Sequence, residues 1–321
     1  MFVCRYQADR SQSTRGPRSR LWPLALLVTL VAGSGANCPQ LVQQYTQPLP
    51  RVLPPQATRD QVIQAVNDNS AKVQSFYANR ATLSTPGYPS LKANIAFERP
   101  RNFRLRAETS FTGPEVDLGS NQDLFWLWVR RNQPPAMFVC RHEQFAHTAA
   151  RQVIPIEPEW LIPALGVVEL SPNEQHDGPF AVRSGRLEIR SSPIVPPGVP
   201  PARETRLTVI DESRGIVLEQ HVYDLQGERL ASATMTRHAR DPASGAILPR
   251  HINIQWPPAK FELNVELGEV QVNHLNNGNG DLFLKPSYPG FNDVDLADPG
   301  LQFGNPPSSA VTPIPPINVR Q

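Results

Sequence analysis

Cysteine is scarce: Cys4, Cys38 and Cys140 are the only three in 321 residues. Three thiols make no disulfide framework of the kind that staples small secreted domains. Catalytic signatures are also missing. There is no Gly-x-Ser-x-Gly elbow and no Gly-rich phosphate loop in the chain. His142 and His147 are separated by five positions. Two helical zinc ligands need a separation of four to share a face. Cys140 and His142 would share a strand face, but two ligands do not make a metal site. The stretch Asn276-Asn-Gly-Asn-Gly-Asp281 has the composition of a calcium loop without its closing carboxylate. Its carboxylates otherwise fall on alternating, solvated strand positions. These absences count against the common nucleophilic and metal-dependent enzymes, and no cofactor is expected. No apolar run reaches the roughly 20 residues that span a bilayer.

Charge of one sign is lacking as well. The net charge is +2, from 31 basic and 29 acidic residues. Residues 1–37 hold five of the basic residues (Arg5, Arg10, Arg15, Arg18, Arg20) and one acidic residue, Asp9, so the remainder carries 26 against 28. A nucleic-acid partner would need a basic stripe, and none is expected.

Proline, by contrast, is abundant. The 35 prolines cluster at 39–55, 193–201 and 306–316, which marks linkers and tails. The basic segment 1–20 is followed by the apolar run Leu21–Ala32, then by Gly33-Ser-Gly-Ala36 and Asn37-Cys38. That is the order of a signal peptide. Two cleavage routes remain open. Ser34 and Ala36 suit ordinary cleavage before Asn37. Gly35, Ala36 and Cys38 suit a lipobox with Cys38 acylated, though Asn37 and Pro39 depart from that pattern. A Cys38–Cys140 bridge is a further use of the thiol. The Pro- and Gln-rich segment 38–57 then reads as an extended tether.

Thr58-Arg-Asp-Gln61 is a capping box, with Val62, Ala65 and Val66 at helical spacing behind it, so a helix is expected over 59–71. Period-two alternation follows. Leu91, Ala93, Ile95 and Phe97 share one face, as do Phe103, Leu105 and Ala107. Val116 and Leu118 repeat the pattern. Such alternation over adjacent segments predicts an antiparallel sheet with one wet face. Leu124-Phe-Trp-Leu-Trp-Val129 is apolar on both faces and should be covered on both. Ala136–Arg141 reads as a strand. Glu157–Leu165 reads as a short helix that Pro163 restricts. Further strands are expected at 180–182, 186–190, 204–210, 216–224, 229–238, 247–255 and 260–269, between turns rich in Gly, Asp and Pro.

Leu91–Arg106, with its arginine-proline turn, and Leu118–Val129, with a small-residue turn before an aromatic strand, resemble the bacterial lipoprotein-carrier (LolA/LolB-type) family. Arg214–Gly227, Leu248–Trp256 and Val270–His274 resemble its later strands, so the likeness covers about residues 58–286. It implies an α+β, mostly β fold: a half-open, curled antiparallel barrel with helices plugging its concave face. It also implies a hydrophobic cavity for a lipid or lipoprotein acyl chain. The residues expected to line it are Ile95, Phe97, Phe103, Leu105, Val116, Leu118, Trp126 and Trp128. No position matches the carriers' lid-locking arginine. The family's membrane-anchored acceptors project an apolar tip between early strands, and Phe111 sits at the similar place.

The expected organisation is a signal peptide at 1–37, a tether at 38–57, a carrier-like domain at 58–290 and a Pro-rich, disordered tail at 291–321. The expected role is non-enzymatic ligand binding in the cell envelope. The protein would be held at the outer membrane, facing the periplasm, by a lipid on Cys38. A protein-binding module of the same fold is the alternative.

Overall fold

The computed structural model describes residues 48–109, 112–145, 148, 158–195, 205–275 and 280–301. Cys38, Phe111 and the signal segment lie outside them. Helix α1 spans Arg59–Ala71. Thr58 Oγ1 accepts from the Gln61 amide, and Gln61 Oε1 accepts from the Thr58 amide, which closes the capping box at two otherwise orphan donors. Val62, Val66 and Ser70 form its buried stripe. Among the described residues no helix is long and apolar enough to cross a membrane.

The rest is dominated by one sheet. Its first six strands form a meander: β1 (Ser75–Ser84), β2 (Leu91–Glu98), β3 (Asn102–Thr109), β4 (Gly113–Ser120), β5 (Leu124–Val129) and β6 (Ala136–Arg141). A second meander holds β7 (Glu174–Val182), β8 (Arg186–Pro193), β9 (Thr205–Asp211), β10 (Val217–Tyr223) and β11 (Arg229–Thr236). The short β12 (Ala239–Arg240) and β13 (Ile247–Leu248) pair with each other apart from the sheet. β14 (His251–Trp256) and β15 (Phe261–Glu266) join the two meanders, giving the order β6-β5-β4-β3-β2-β1-β15-β14-β11-β10-β9-β8-β7. The sheet is open, with β7 at one edge and β17 (Asn292–Asp295), added parallel to β6, at the other.

Several boundaries differ from the sequence reading. The strand expected at 260–269 is interrupted: Gly268, at φ +62°, turns the chain between β15 and β16 (Glu269–Val272). β1 bulges between Ala78 and Ala81, where Arg80 has φ +60°, and so pairs with β16 on one side of the bulge and β15 on the other. An extra residue in one strand bends it in this way. β7 begins six residues earlier than Phe180, because a bulge between Asp177 and Phe180 absorbs Gly178-Pro179 without ending the pairing to β8. The helix expected at 157–165 is a 3-10 turn, Pro158–Trp160, followed by the four-residue helix Leu161–Ala164. Pro163, which lacks an amide hydrogen, sits inside it. The region expected as tail supplies β17, whose backbone pairs with β6 from Ala136 to Val139. In the expected tether, the Val52 and Leu53 amides donate to Ser213 O, and Ala57 is buried in the core.

One face of the sheet, here the inner face, packs against α1 and the segment 160–170. Phe76, Ile95, Phe97, Ile189, Ile210, Met235, Ile252, Ile254 and Val265 join Val62, Val66, Trp160, Ile162 and Leu165 in a single buried cluster. The antiparallel meander also sorts the connections between two ends. At one end lie Thr85–Ser90, Arg130–Pro135, Asp224–Glu228 and Pro257–Lys260, and the exit of β8. At the other lie Arg99–Arg101, Arg183–Gly185 and Glu212–Ile216.

Candidate functional site

Cross-strand register decides which candidate residues share a face. Ile95 pairs with Leu105, Leu105 with Leu118, Leu118 with Leu127 and Leu127 with Phe138. Phe97 pairs with Phe103, and Val116 with Val129. All of these lie on the inner face. Their burial is graded. Ile95, Phe97, Phe103 and Leu105 are buried in the core cluster, whereas Val116 and Leu118 are only partly buried against it. Leu127 and Val129 are likewise partly buried, and Phe138 is partly buried against the Phe125, Cys140, Phe145 and Leu296 cluster. The inner face is therefore packed at β1–β3 and less covered at these positions of β4–β6, while Phe125 and Cys140 on the same face are buried with Phe145 and Leu296.

Of the residues expected to line a cavity on this face, Ile95, Phe97, Phe103 and Leu105 are buried in the core cluster. A small pocket among α1, Gly166, Val168, Ile216, His238 and Ile247 has a volume of about 10 Å³, room for about one water molecule.

Trp126 and Trp128 do not share that face. Trp126 pairs with Gly119 and Trp128 with Asp117, which places both rings on the outer face. Alternation over β5 leaves either face open from sequence alone, and the segment that covers the tryptophans comes from 280–291, far along the chain. Tyr288 stacks on Trp128 with centroids 3.8 Å apart and planes 7° from parallel, and Phe291 meets the same ring edge-on at 5.3 Å. Gly119 is needed beneath Trp126: a Cβ there would lie 2.1 Å from the indole.

This outer cluster is built around Asp117, whose side chain is fully buried. Arg104 Nε and Nη2 donate to its two oxygens at 3.2 and 2.7 Å. Trp126 Nε1 donates to Oδ1 at 3.1 Å and Tyr288 Oη to Oδ2 at 2.7 Å. Arg104 Nη1 also donates to Leu282 O. Burial, then the Asp117 hydrogen bond and charge, push the Tyr288 phenol up to about 12. Four charge-assisted bonds satisfy a charge that would otherwise be costly in the interior. The strap 280–291 is thereby clamped to β3–β5.

Two Ser–His–carboxylate arrangements occur. In one, His221 Nδ1 is 2.8 Å from Ser232 Oγ, and Nε2 is 3.0 Å from Glu219 Oε2. In the other, His142 Nε2 is 3.3 Å from Ser120 Oγ, and Nδ1 is 2.8 Å from Glu159 Oε1. Neither is built for acyl transfer. Ser232 sits mid-strand between β10 and β14, so its backbone is committed to the ladder and supplies no oxyanion donor. His142 Nε2 lies 3.0 Å from Asn121 O as well, a donor's geometry and not a general base's. Burial alone would raise the Glu159 carboxyl, but the His142 hydrogen bond and charge, with Arg101 beyond, hold it below its ordinary value. The contact ties the 3-10 turn before Leu161 to the end of β6.

Cys140 is a free thiol buried beside Phe125, Phe145 and Leu296. Burial, with Asp295 nearby, raises it to about 11, so it is a poor ligand or nucleophile at neutral pH. Among the described residues no group of three His, Cys, Asp or Glu side chains could hold a metal ion.

Sequence reasoning missed a groove on the outer face at the opposite end of the sheet. It has a volume of about 670 Å³, with Leu207, Val209, His221 and Tyr223 in its lining and Arg183, Arg186, Arg229, Glu188 and Glu219 supplying charge. Arg186 pairs with Glu219 at 2.6 Å. The alternating charged positions of β8–β10 were the available signal, but they read equally well as a solvated face.

No protein-family model matches the chain, and no curated protein matches it in sequence. Solved structures do. A LolA superfamily protein from Nitrosomonas europaea is 10% identical, with 71% of this chain and 98% of that one covered, at a TM-score of 0.46. A DUF1329 family protein from Desulfovibrio piger is 9% identical over 69% and 99%, at 0.45. An outer membrane lipoprotein-sorting protein domain from Vibrio parahaemolyticus is 7% identical over 69% and 97%, at 0.46. The likeness to these three solved structures is one of fold, at low sequence identity.

Proposed function

We propose that the chain is a non-enzymatic binding module of the cell envelope that takes an acyl chain of a lipid or lipoprotein along the inner face of β4–β6. The observation that carries this reading is the row of half-exposed apolar side chains Val116, Leu118, Leu127, Val129 and Phe138, in register across three strands. With Leu105 the row crosses four strands, about 14 Å at the usual spacing of about 4.8 Å. An extended hydrocarbon laid across it removes apolar surface from water, worth about 0.8 kcal/mol per buried methylene. The basic, apolar and small-residue order of segment 1–38 supports export, and Cys38 supports a lipid anchor at the outer membrane, facing the periplasm. The half-open barrel of the resemblance, with α1 and 158–164 over its concave side, is the frame in which such a row becomes a binding site. The test is lipid extraction and mass spectrometry on purified protein. Wild type is expected to carry fatty-acyl species, and Leu127→Glu to lose them while remaining folded, because the site is half-exposed. Lipid-free wild type, or equal loading of the variant, refutes the reading.

A second reading, a protein-binding module, is favoured by the outer groove. Its mixture of arginines, carboxylates and apolar floor suits a polypeptide better than a hydrocarbon.

A further inference from the structure

The groove on the outer face of β7–β11 holds charges that the fold itself does not use. Leu207 and Val209 of β9 form its apolar floor. Register places Val209 between Glu188 and Glu219, and Leu207 between Arg190 and His221. Glu219 is engaged twice: Oε1 accepts from Arg186 Nη1 at 2.6 Å, and Oε2 lies 3.0 Å from His221 Nε2. Its charge is therefore spent within the groove. Among the described residues Glu188 is then the one lining carboxylate outside an ion pair. Against it stand Arg229 in the lining and Arg190 at the border, which form no ion pair among the described residues either. The open charge of the groove is positive.

We propose that this groove binds an extended acidic segment of a polypeptide, with carboxylates on Arg190 and Arg229 and an apolar side chain on the Leu207–Val209 floor. The proposal rests on the protein-binding reading of the groove and gives its partner a chemistry. Each arginine is held over an aromatic ring. Arg190 Cζ is 5.4 Å from the Phe180 centroid, and Arg229 Cζ is 5.8 Å from that of Tyr223. A ring attracts a guanidinium through its face and takes none of its N–H donors. Each fork is thus positioned while its donors stay open to a carboxylate, which a guanidinium binds through two parallel hydrogen bonds. Asp177 lies opposite Arg190 across β7–β8, but it accepts from Gln175 Nε2.

Charge complementarity selects a peptide over a layer of phosphates. Glu188 and Glu219 on the floor repel closely spaced phosphate groups, whereas a peptide offers them amide hydrogens between its own carboxylates. The distance between the arginines sets the spacing. Arg190 on β8 and Arg229 on β11 are three strands apart, about 14 Å at the usual spacing of about 4.8 Å. An extended peptide covers that in about four to five residues. The segment crosses the strands and does not join the β7 edge. There Pro179 has no amide hydrogen to offer a further strand, and Arg59 Nη1 already donates to His176 O.

The test is selection of a random dodecapeptide phage library on the purified full exported chain, followed by fluorescence anisotropy of the enriched peptides. They are expected to carry two acidic residues about four to five positions apart and to bind more weakly as salt rises. The double variant Arg190→Gln, Arg229→Gln is expected to weaken them about tenfold or more, at an unchanged thermal midpoint, since both arginines are exposed. If the double variant is unstable, the two single variants carry the same comparison. Leu127→Glu, on the inner face, is expected to bind them as wild type does. Enriched peptides that are neutral or basic, or that bind the arginine variants equally well, overturn the proposal and leave the protein-binding reading standing. No enrichment at all overturns both. Phosphatidylglycerol vesicles that bind the chain and displace the peptides would assign the arginines to a lipid surface and overturn the proposal as well.

Discussion

Tyr288 and Asp117 are 171 positions apart in sequence, yet the phenol donates to the carboxylate at 2.7 Å. That bond fastens the 280–291 strap over the tryptophan face of β5. Tyr288→Phe keeps the stack on Trp128 and leaves one Asp117 lone pair unpaired, so a loss of about 1–3 kcal/mol is expected. Tyr288→Ala also loses the ring and should cost about 3–5 kcal/mol. Urea unfolding measures both. Equal, near-zero losses would mean the strap does not hold.

Asp117→Asn leaves Arg104 in a mostly buried place without its charge partner. A loss of about 3–5 kcal/mol is expected. The double variant Arg104→Met, Asp117→Asn should recover part of it, since the stranded cation is gone. A double variant less stable than the sum of the singles contradicts the pairing.

His221 sets a pH dependence whose sign follows from its burial. Burial lowers its pKa below the ordinary 6.5, against the opposing pull of Glu219. His238 is lowered in the same way, against the Val217 carbonyl. The native state therefore holds neutral imidazoles that the unfolded chain protonates at about 6.5. Stability is full above that pH and is lost as pH falls from there toward the lowered native values. His221→Gln should make the decline between pH 7.5 and 5.5 shallower in urea unfolding. An unchanged slope excludes His221 as a source.

Cys140, raised to about 11 by burial, should resist iodoacetamide at pH 8 in the native protein and react once unfolded in urea. Rapid native labelling would mean that the Phe125–Phe145–Leu296 cover opens freely.

Much of the meander was legible because its inner positions alternate without interruption: Leu91 to Phe97 and Phe103 to Ala107 read the same in sequence and in register. The α1 start was legible from Thr58 and Gln61 alone, since a capping box is local chemistry. The tryptophans were not. Both faces of β5 are apolar, and the face of Trp126 is decided by Gly119 opposite it and by a strap more than 150 residues later. Nor was β17, because Asn292-Asp-Val-Asp295 has no strand propensity of its own and forms by pairing with β6. How far the inner face is covered was not legible either. Alternation marks which residues face inward, but only the placement of α1 and 160–170 decides which of those are packed and which, like Leu118 and Leu127, stay half-open.

A photoreactive diazirine fatty acid, crosslinked to the folded protein and mapped by peptide mass spectrometry, tests the acyl-binding claim most directly. The account predicts label on β4–β6, at or beside Val116, Leu118, Leu127, Val129 and Phe138, and loss of that label in Leu127→Glu. Label confined to the Leu207–Tyr223 groove, or no label above that on an unrelated protein, would contradict it.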